Sequence, residues 1–440
     1  MRSPASVATL IAIAASWYPA IMVNDGLSLS ITLVAWLLAA AVAFASILSN
    51  RGGEPRFPRD VRKSYWLLLL LLALMSGWAA ASSQWSEEPH RVFRVIGACT
   101  IIASAIIAIP YGCQSVWHGH QIMLACVLMG AFNAAFLTIC VLAHQSHLLS
   151  WIENVPNLFG RFMGGFKHPN QAGIALSATF PLTIAVALEK HFFSIVWRRF
   201  AIVSTILMLF GLIATGSKAN ILLSGITLIT LAVVASLSQG TWIRRLKLMS
   251  AFVGSIVLVT TLFAIALQSF SPGAFRNLTT ISRGDIDQVR TVQNRRFIWY
   301  ESVLIGRRQP WRGTGAGSRF TVRGLKKNFS HSHNYFVDTF RATGIPGLII
   351  SLSLIIAVVL IARKVVSGTT QSSLEYARLM RWAIVLSVAN YVLSNMSSDS
   401  VGPSTSAFLG IATGICLIAL TDPYVYLQST TSTHKNSAQC

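Results

Sequence analysis

The sequence predicts an all-α polytopic membrane protein, and three observations predict it. Of 440 residues, 53% are hydrophobic and 11% charged, against about 25% charged in an ordinary soluble domain. The apolar residues gather into a series of runs, and about 20 residues suffice for one helical crossing of a bilayer. The remaining charge is a net +21, and it is confined to the segments between the runs.

About 12 transmembrane helices follow from those runs. The first, 7–23, comes after a single Arg2 and leads straight into further apolar sequence, so it reads as an uncleaved helix rather than a signal peptide. The second, 27–48, is followed by the basic stretch 49–65, with Arg51, Arg56, Arg59, Arg62 and Lys63. Spans 66–82, 95–111 and 122–143 come next, then 172–188, 200–215, 219–237 and 249–267. The last four flank two more basic turns, with Lys190, Arg198 and Arg199 in 189–199 and Arg244, Arg245 and Lys247 in 238–248. Spans 344–362, 382–396 and 405–421 complete the series, with Arg363, Lys364, Arg378 and Arg381 in 363–381. Short loops rich in Lys and Arg stay in the cytoplasm, and with twelve spans all four basic loops share one side. Both termini are then cytoplasmic, including a short tail at 422–440. Segments 83–94, 144–171, 216–218, 268–343 and 397–404 face outward. The whole chain, 1–440, is expected to form a single membrane domain with one large outward loop, 268–343, inserted between spans nine and ten. The six cysteines form no C-x-x-C pair, so neither a disulfide framework nor a zinc site is indicated.

Loop 268–343 carries eleven Arg and two Lys against four acids, a net charge of +9. Its length exempts it from the short-loop rule. The plain reading is a basic surface near anionic headgroups, but the preference for Arg over Lys favours phosphate, which a guanidinium fork grips in bidentate fashion. Within the loop, Phe297, Tyr300 and Leu304 recur on one helical face beside Arg295 and Arg296, predicting an amphipathic helix along the membrane surface. Near the loop's end stands His331-Ser332-His333-Asn334-Tyr335, just before span ten. Asn334 suits a helix cap, and Asp338 and Arg341 follow at helical spacing. A His is suited to take a proton from an attacking hydroxyl. The bland alternative is a helix start whose polar groups only satisfy the backbone.

Two other segments hold candidate ligands. Lys218 sits in a polar break between two apolar runs, where an ionisable residue is a functional candidate by default. Arg161, Lys167 and Asn170 lie between spans five and six, where Gly160, Gly164 and Gly165 permit close backbone approach. His168 in that segment reads as a helix-start residue. Asp285-Ile286-Asp287 has the D-x-D form that can hold a divalent ion, but two acids one residue apart arise often by chance; His331 and His333 are two potential ligands without a suitably spaced third, so no metal or other cofactor is expected.

His333-Asn334, nine residues, Gly344, two residues and Gly347 together resemble the H-[NSQ]-x9-G-x-x-[GTY] signature of the O-antigen ligase family. The resemblance continues in Arg295-x-x-x-Trp299, in Pro310-x-x-Gly313-x-Gly315-x-Gly317-x-x-Phe320, in Gly165-Phe166-Lys167-His168-Pro169-Asn170 and in Thr215-Gly216-Ser217-Lys218. Lys218 departs from the family pattern by replacing the usual arginine, keeping charge without the bidentate fork.

The resemblance implies a GT-C-type glycosyltransferase-like fold in the bacterial inner membrane, with the large loop periplasmic. It implies transfer of O-antigen from undecaprenyl pyrophosphate to lipid A-core oligosaccharide, with membrane lipids as surroundings and no nucleic-acid partner. His333 is then the expected base, and Arg295, Lys218, Arg161, Lys167, Asn170 and Asn334 the expected substrate ligands. Both substrates carry lipid tails, so a lateral cleft continuing as an apolar groove is expected. An O-antigen polymerase or a protein O-oligosaccharyltransferase remains an alternative at this point, as does a secondary transporter. Against the last, the sequence shows no obvious internal repeat and few carboxylates within spans.

Overall fold

The structure, a computed structural model, describes residues 4–17, 25–48, 57, 59–112, 116–146, 157–158, 161–164, 166, 168–237, 290–367, 375–397 and 403–420, with isolated positions between 243 and 269. Helices make up most of it: α1 (Pro4–Ser16), α2 (Asp25–Leu48), α3 (Arg59–Ser82), α4 (Val92–Gly112), α5 (Val116–Ser146), α6 (Pro169–Leu188), α7 (Ile195–Thr215), α8 (Lys218–Leu237), α9 (Arg290–Arg308), α10 (Tyr335–Ser367), α11 (Glu375–Ser397) and α12 (Pro403–Ala419). Among the described residues, seven helices are long and apolar enough to cross a membrane: Val61–Ser82, Pro89–Gly112, Gly119–Leu142, Pro169–Leu188, Ile195–Thr215, Lys218–Leu237 and Tyr335–Ser367. The protein is thus a polytopic, helical membrane protein. Apolar stretches in α1, α2 and α12 are shorter. The expected ninth span, 249–267, lies outside the described residues apart from isolated positions, as do the tail 422–440 and the Asp285-Ile286-Asp287 sequence.

Helix α6 is central, with its residues from Ala172 to Ala187 all buried. Lipid is as apolar as a leucine side chain, so close packing and interhelical hydrogen bonds must hold such a helix. The Ser177 hydroxyl donates to Asn220 Oδ1 on α8 at 3.1 Å. Asn390 Nδ2 on α11 donates to the Ser177 carbonyl at 2.8 Å and to Thr227 Oγ1 on α8 at 3.0 Å. Small residues do the rest, as where Gly410 of α12 lies against Ala105 and Ile102 of α4, leaving no room for a Cβ.

Among the described residues, two short hairpins accompany the helices. Short antiparallel hairpins join β1 (Asn157–Leu158) to β2 (Arg161–Phe162) and β3 (Phe320–Val322) to β4 (Lys327–Phe329). The second forms because Ile298, Phe320 and Val322 bury together beneath α9. That helix carries the expected stripe on its outer side: Phe297 and Tyr300 are exposed, while the packed face is Ile298, Ser302 and Gly306.

Helix α10 begins at Tyr335, directly after the expected cap Asn334 and ahead of the expected span 344–362, and breaks at Gly344, where φ is 67° and ψ −166°. Only glycine adopts that region readily. The break strips carbonyls of Arg341, Ala342 and Thr343 of their usual helical partners, and Pro346 restarts the helix without an N–H to lose. The Pro310–Gly317 loop supplies the replacements. Thr314 N donates to the Arg341 carbonyl at 2.9 Å, Gly315 N to that of Ala342 at 2.8 Å, and Ile345 N donates back to the Pro310 carbonyl at 2.7 Å. Trp78 Nε1 of α3 donates to the Thr343 carbonyl at 2.8 Å. A Cβ on Gly313 would lie 2.5 Å from the Ala342 backbone, and one on Gly344 would lie 2.7 Å from the Pro310 oxygen. The spaced glycines therefore serve to seat this loop in the broken helix. Gly344→Ala is expected to cost about 1–3 kcal/mol from backbone strain alone, read as a lowered unfolding temperature in detergent. Unchanged stability would show that the break tolerates a side chain.

Candidate functional site

The break in α10, the start of α4 and the turn between α7 and α8 lie at one end of the bundle, and the chemistry-bearing side chains gather there. His333 is one of two non-glycine residues with positive φ among the described residues, at 52°. Such a conformation is uncommon for a side-chain-bearing residue and needs surrounding support. Ser332 provides it from a fully buried position. Its backbone N and its hydroxyl both donate to Asp338 Oδ1, at 3.0 and 2.9 Å, and its hydroxyl also meets that of Ser302 on α9 at 2.8 Å. Asn334 Oδ1 accepts from the N–H groups of Phe336 and Val337, capping α10 as expected.

Asp338 is held in turn by Arg341, whose Nη2 lies 2.9 Å from Oδ1. The Arg341 side chain is completely buried, and its other contacts are the hydroxyls of Thr314 and Ser318 and the face of Phe320, 4.4 Å from the guanidinium carbon. Arg341 is thus a structural cation that fixes the loop, its charge met on every side. The His331 and His333 rings flank Ser332 and meet edge to face, with centroids 4.6 Å apart.

Both histidines and Asn334 line a cavity of about 260 Å³ bounded by α3, α4, α10, α11 and α12. Its polar mouth also holds Arg91 and Arg94, and its depth is walled by Leu68, Leu72, Ile102, Ile106 and Leu354. Glu88 braces this mouth: its Oε1 lies 3.2 Å from Arg91 Nε and 3.6 Å from Arg319 Nε, and its Oε2 accepts from Arg319 N. Glu88 is accordingly an anchor between the start of α4 and the Gly317–Phe320 segment.

A second group forms around the α7–α8 turn. Gly216 ends α7 with φ 57°, and a Cβ there would touch the Arg161 side chain. Arg161 Nε donates to the Thr215 carbonyl at 2.8 Å and its Nη2 to Asn170 Oδ1 at 2.6 Å. Lys218, half-buried at the start of α8, feels the charges of Arg161 and Arg295. Three of the expected phosphate ligands, carried by hairpin β1–β2, α8 and α9, are therefore within electrostatic reach of Lys218's turn. His168 is an N-cap, its Nδ1 accepting from Asn170 N at 3.1 Å, as read from the sequence. Gly164, at φ 57°, lets the chain pass against Asn133 and Leu137 of α5. Lys167, with Gly160 and Gly165, lies outside the described residues.

The expected ligands thus split between two groups. None of Arg161, Lys218 and Arg295 lines the cavity that His333 lines. Sequence reading missed Arg91 and Arg94 altogether; the one available signal was a pair of guanidinium groups at the edge of an apolar run, directly after Glu87-Glu88-Pro89. It also missed Ser332 and Ser302, whose roles depend on contacts across 30 residues.

Residues 203–352 match the family model described as O-Antigen ligase. That stretch includes Lys218, Arg295, the glycine-spaced loop and His333. A search of curated proteins finds no match to the chain.

Proposed function

We propose, from the match of residues 203–352 to the O-Antigen ligase family model, that the protein transfers O-antigen polysaccharide from undecaprenyl pyrophosphate to a sugar hydroxyl of lipid A-core oligosaccharide. The observation that carries this reading is His333, held in a left-handed conformation at the mouth of a cavity that continues into the bundle. The reaction is a GT-C-type, metal-independent transfer at the periplasmic face of the bacterial inner membrane. His333 takes the proton of the acceptor hydroxyl as its oxygen attacks the anomeric carbon. The bond from that carbon to the pyrophosphate oxygen breaks on the opposite face, so configuration inverts. Negative charge develops on the departing pyrophosphate, and cations aimed at it stabilise the transition state more than the ground state. Arg295, Lys218 and Arg161 serve that purpose, with Asn170 orienting Arg161 through its hydrogen bond. Lys167 and Asn334 complete the assigned substrate contacts, Asn334 from its place in the cavity wall.

Deleting the gene tests this reading. Full-length polymer stranded on the lipid carrier, with uncapped lipopolysaccharide, is the expected phenotype. Lipopolysaccharide bearing a single repeat unit would instead identify a polymerase, and a lost glycoprotein a protein O-oligosaccharyltransferase.

Lys218 offers a second test. Lys218→Arg should keep most of the transfer rate, since it restores the family's fork, whereas Lys218→Gln should lose about 10²-fold or more, the scale of removing one transition-state contact. Equal rates in the two variants would show that charge at this turn is irrelevant.

A further inference from the structure

Lysine carries its charge as a point on a flexible stem, without the fork by which arginine orients itself on a phosphate. Where Lys218 can place its ammonium is therefore set by the turn that bears it. The charges beside it, Arg161 and Arg295, are of its own sign, so the three cations repel one another until an anion sits among them. A group that acts by electrostatic preorganisation must already be in place when charge develops. The turn has to be held against that repulsion.

The bonds that hold it converge on Asn220, which follows Lys218 by two positions on α8 and is only 1% exposed. Asn220 Nδ2 donates at 2.7 Å to Ser217 Oγ, on the residue directly before Lys218. Its Oδ1 accepts from the Ser177 hydroxyl of α6 at 3.1 Å and from the Ser394 hydroxyl of α11. Both ends of the amide are thus used, and they join the turn to two other helices. Helix α6 comes this near because of Gly173, where a Cβ would lie 2.6 Å from Asn220 Nδ2 and 2.9 Å from Ser217 Cβ. The same helix holds Arg161 through Asn170 Oδ1, and Arg161 donates to the Thr215 carbonyl on the other side of the turn. Helix α6 therefore braces Arg161 and Lys218 together.

We propose that Asn220 is a positioning residue for the transfer reaction: enclosed itself, it fixes the α7–α8 turn so that the Lys218 ammonium meets the departing pyrophosphate. The inference rests on the role given to Lys218 above. A contact that matters as charge develops appears in kcat, with KM little changed. A residue that acts only through Lys218 also loses its effect once the Lys218 charge is gone, which a residue of purely structural importance does not.

The experiment is a double-mutant cycle with Lys218→Gln on the purified full-length enzyme, reading kcat and donor KM with undecaprenyl pyrophosphate-linked glycan and counting every glycosylated product. Asn220→Ala should lower kcat about tenfold and leave the donor KM within about twofold of the wild type; added to Lys218→Gln, it should cost less than about twofold more. Ser177 keeps a partner in the Ile174 carbonyl at 3.1 Å, so the variant retains α6. Gly173→Ala presses on the same link from α6 with Asn220 intact and should reproduce both the loss and the coupling. Asn390→Ala is the control for packing. That buried amide joins α11 to Ser177 and Thr227, and its loss should lower the unfolding temperature in detergent while kcat stays within about twofold of the wild type. Equal losses from Asn220→Ala with and without the Lys218 charge would overturn the proposal, as would a kcat loss in Asn390→Ala as large as in Asn220→Ala. If the wild-type enzyme only lengthens the carrier-linked chain, the proposed transfer to lipid A-core fails, while the cycle measured on that product still decides the role of Asn220.

Discussion

His333→Ala is expected to lower the rate of glycan transfer by about 10²–10⁴-fold, the usual worth of a positioned general base, and to leave carrier binding in place. The imidazole lies at the cavity mouth with its backbone in a left-handed turn, an arrangement that alanine adopts at some cost but whose support, the Ser332 contacts to Asp338 and Ser302, is unaltered. The loss should therefore fall on kcat, with native mass spectrometry of bound undecaprenyl pyrophosphate as the check on folding. The neighbouring imidazole supplies the control. His331 meets His333 edge to face and its Nδ1 lies 2.9 Å from the Ser330 hydroxyl. If His331→Ala abolished transfer while His333→Ala retained the wild-type rate, the base would be His331.

Asp338→Ala is expected to destabilise the protein by about 3–5 kcal/mol, the cost of removing one partner from a buried ion pair. Arg341 is completely enclosed, and the substitution leaves its guanidinium with only two hydroxyls and an aromatic face. It also removes the acceptor of both Ser332 donors, so the loop carrying His331 and His333 loses its anchor and activity falls together with stability. Thermal unfolding in detergent measures the first effect. The double variant Asp338→Ala with Arg341→Met should recover part of the lost stability, because no buried charge is left unpaired. A single variant as stable as the wild type would mean that the Arg341 charge is met without Asp338.

Much of this arrangement is legible in the sequence because its determinants are local. Apolar runs gave the helices, Asn334 capped the helix it was expected to cap, and Phe297 and Tyr300 do face outward from α9. The motif spacing located His333, Arg295 and Lys218, which lie in the segment matched by the family model. Features that depend on pairing between distant segments were not legible. The glycines of the Pro310–Gly317 loop have a sequence signature, yet their purpose emerges only when Thr314 and Gly315 are seen to satisfy carbonyls freed by the break at Gly344. Arg91 and Arg94 gave no motif at all, since the residues that make them part of a site, His331 and His333, follow more than 200 positions later. Span counting was limited for a different reason. Length and hydropathy identify a helix that suits a bilayer, but α1 and α12 are short, and their burial against α4 comes from small residues meeting across the interface, such as Gly112 with Ala5 and Gly414 with Ile109.

The most direct measurement is a reconstitution in which the purified protein receives undecaprenyl pyrophosphate-linked O-antigen together with two competing acceptors, lipid A-core oligosaccharide and a carrier-linked repeat unit, with no nucleotide sugar or divalent metal added. Glycan attached to lipid A-core, formed by wild-type enzyme and lost in His333→Ala, is the expected result. Glycan found only as a longer carrier-linked chain, or transfer undiminished without His333, would contradict it.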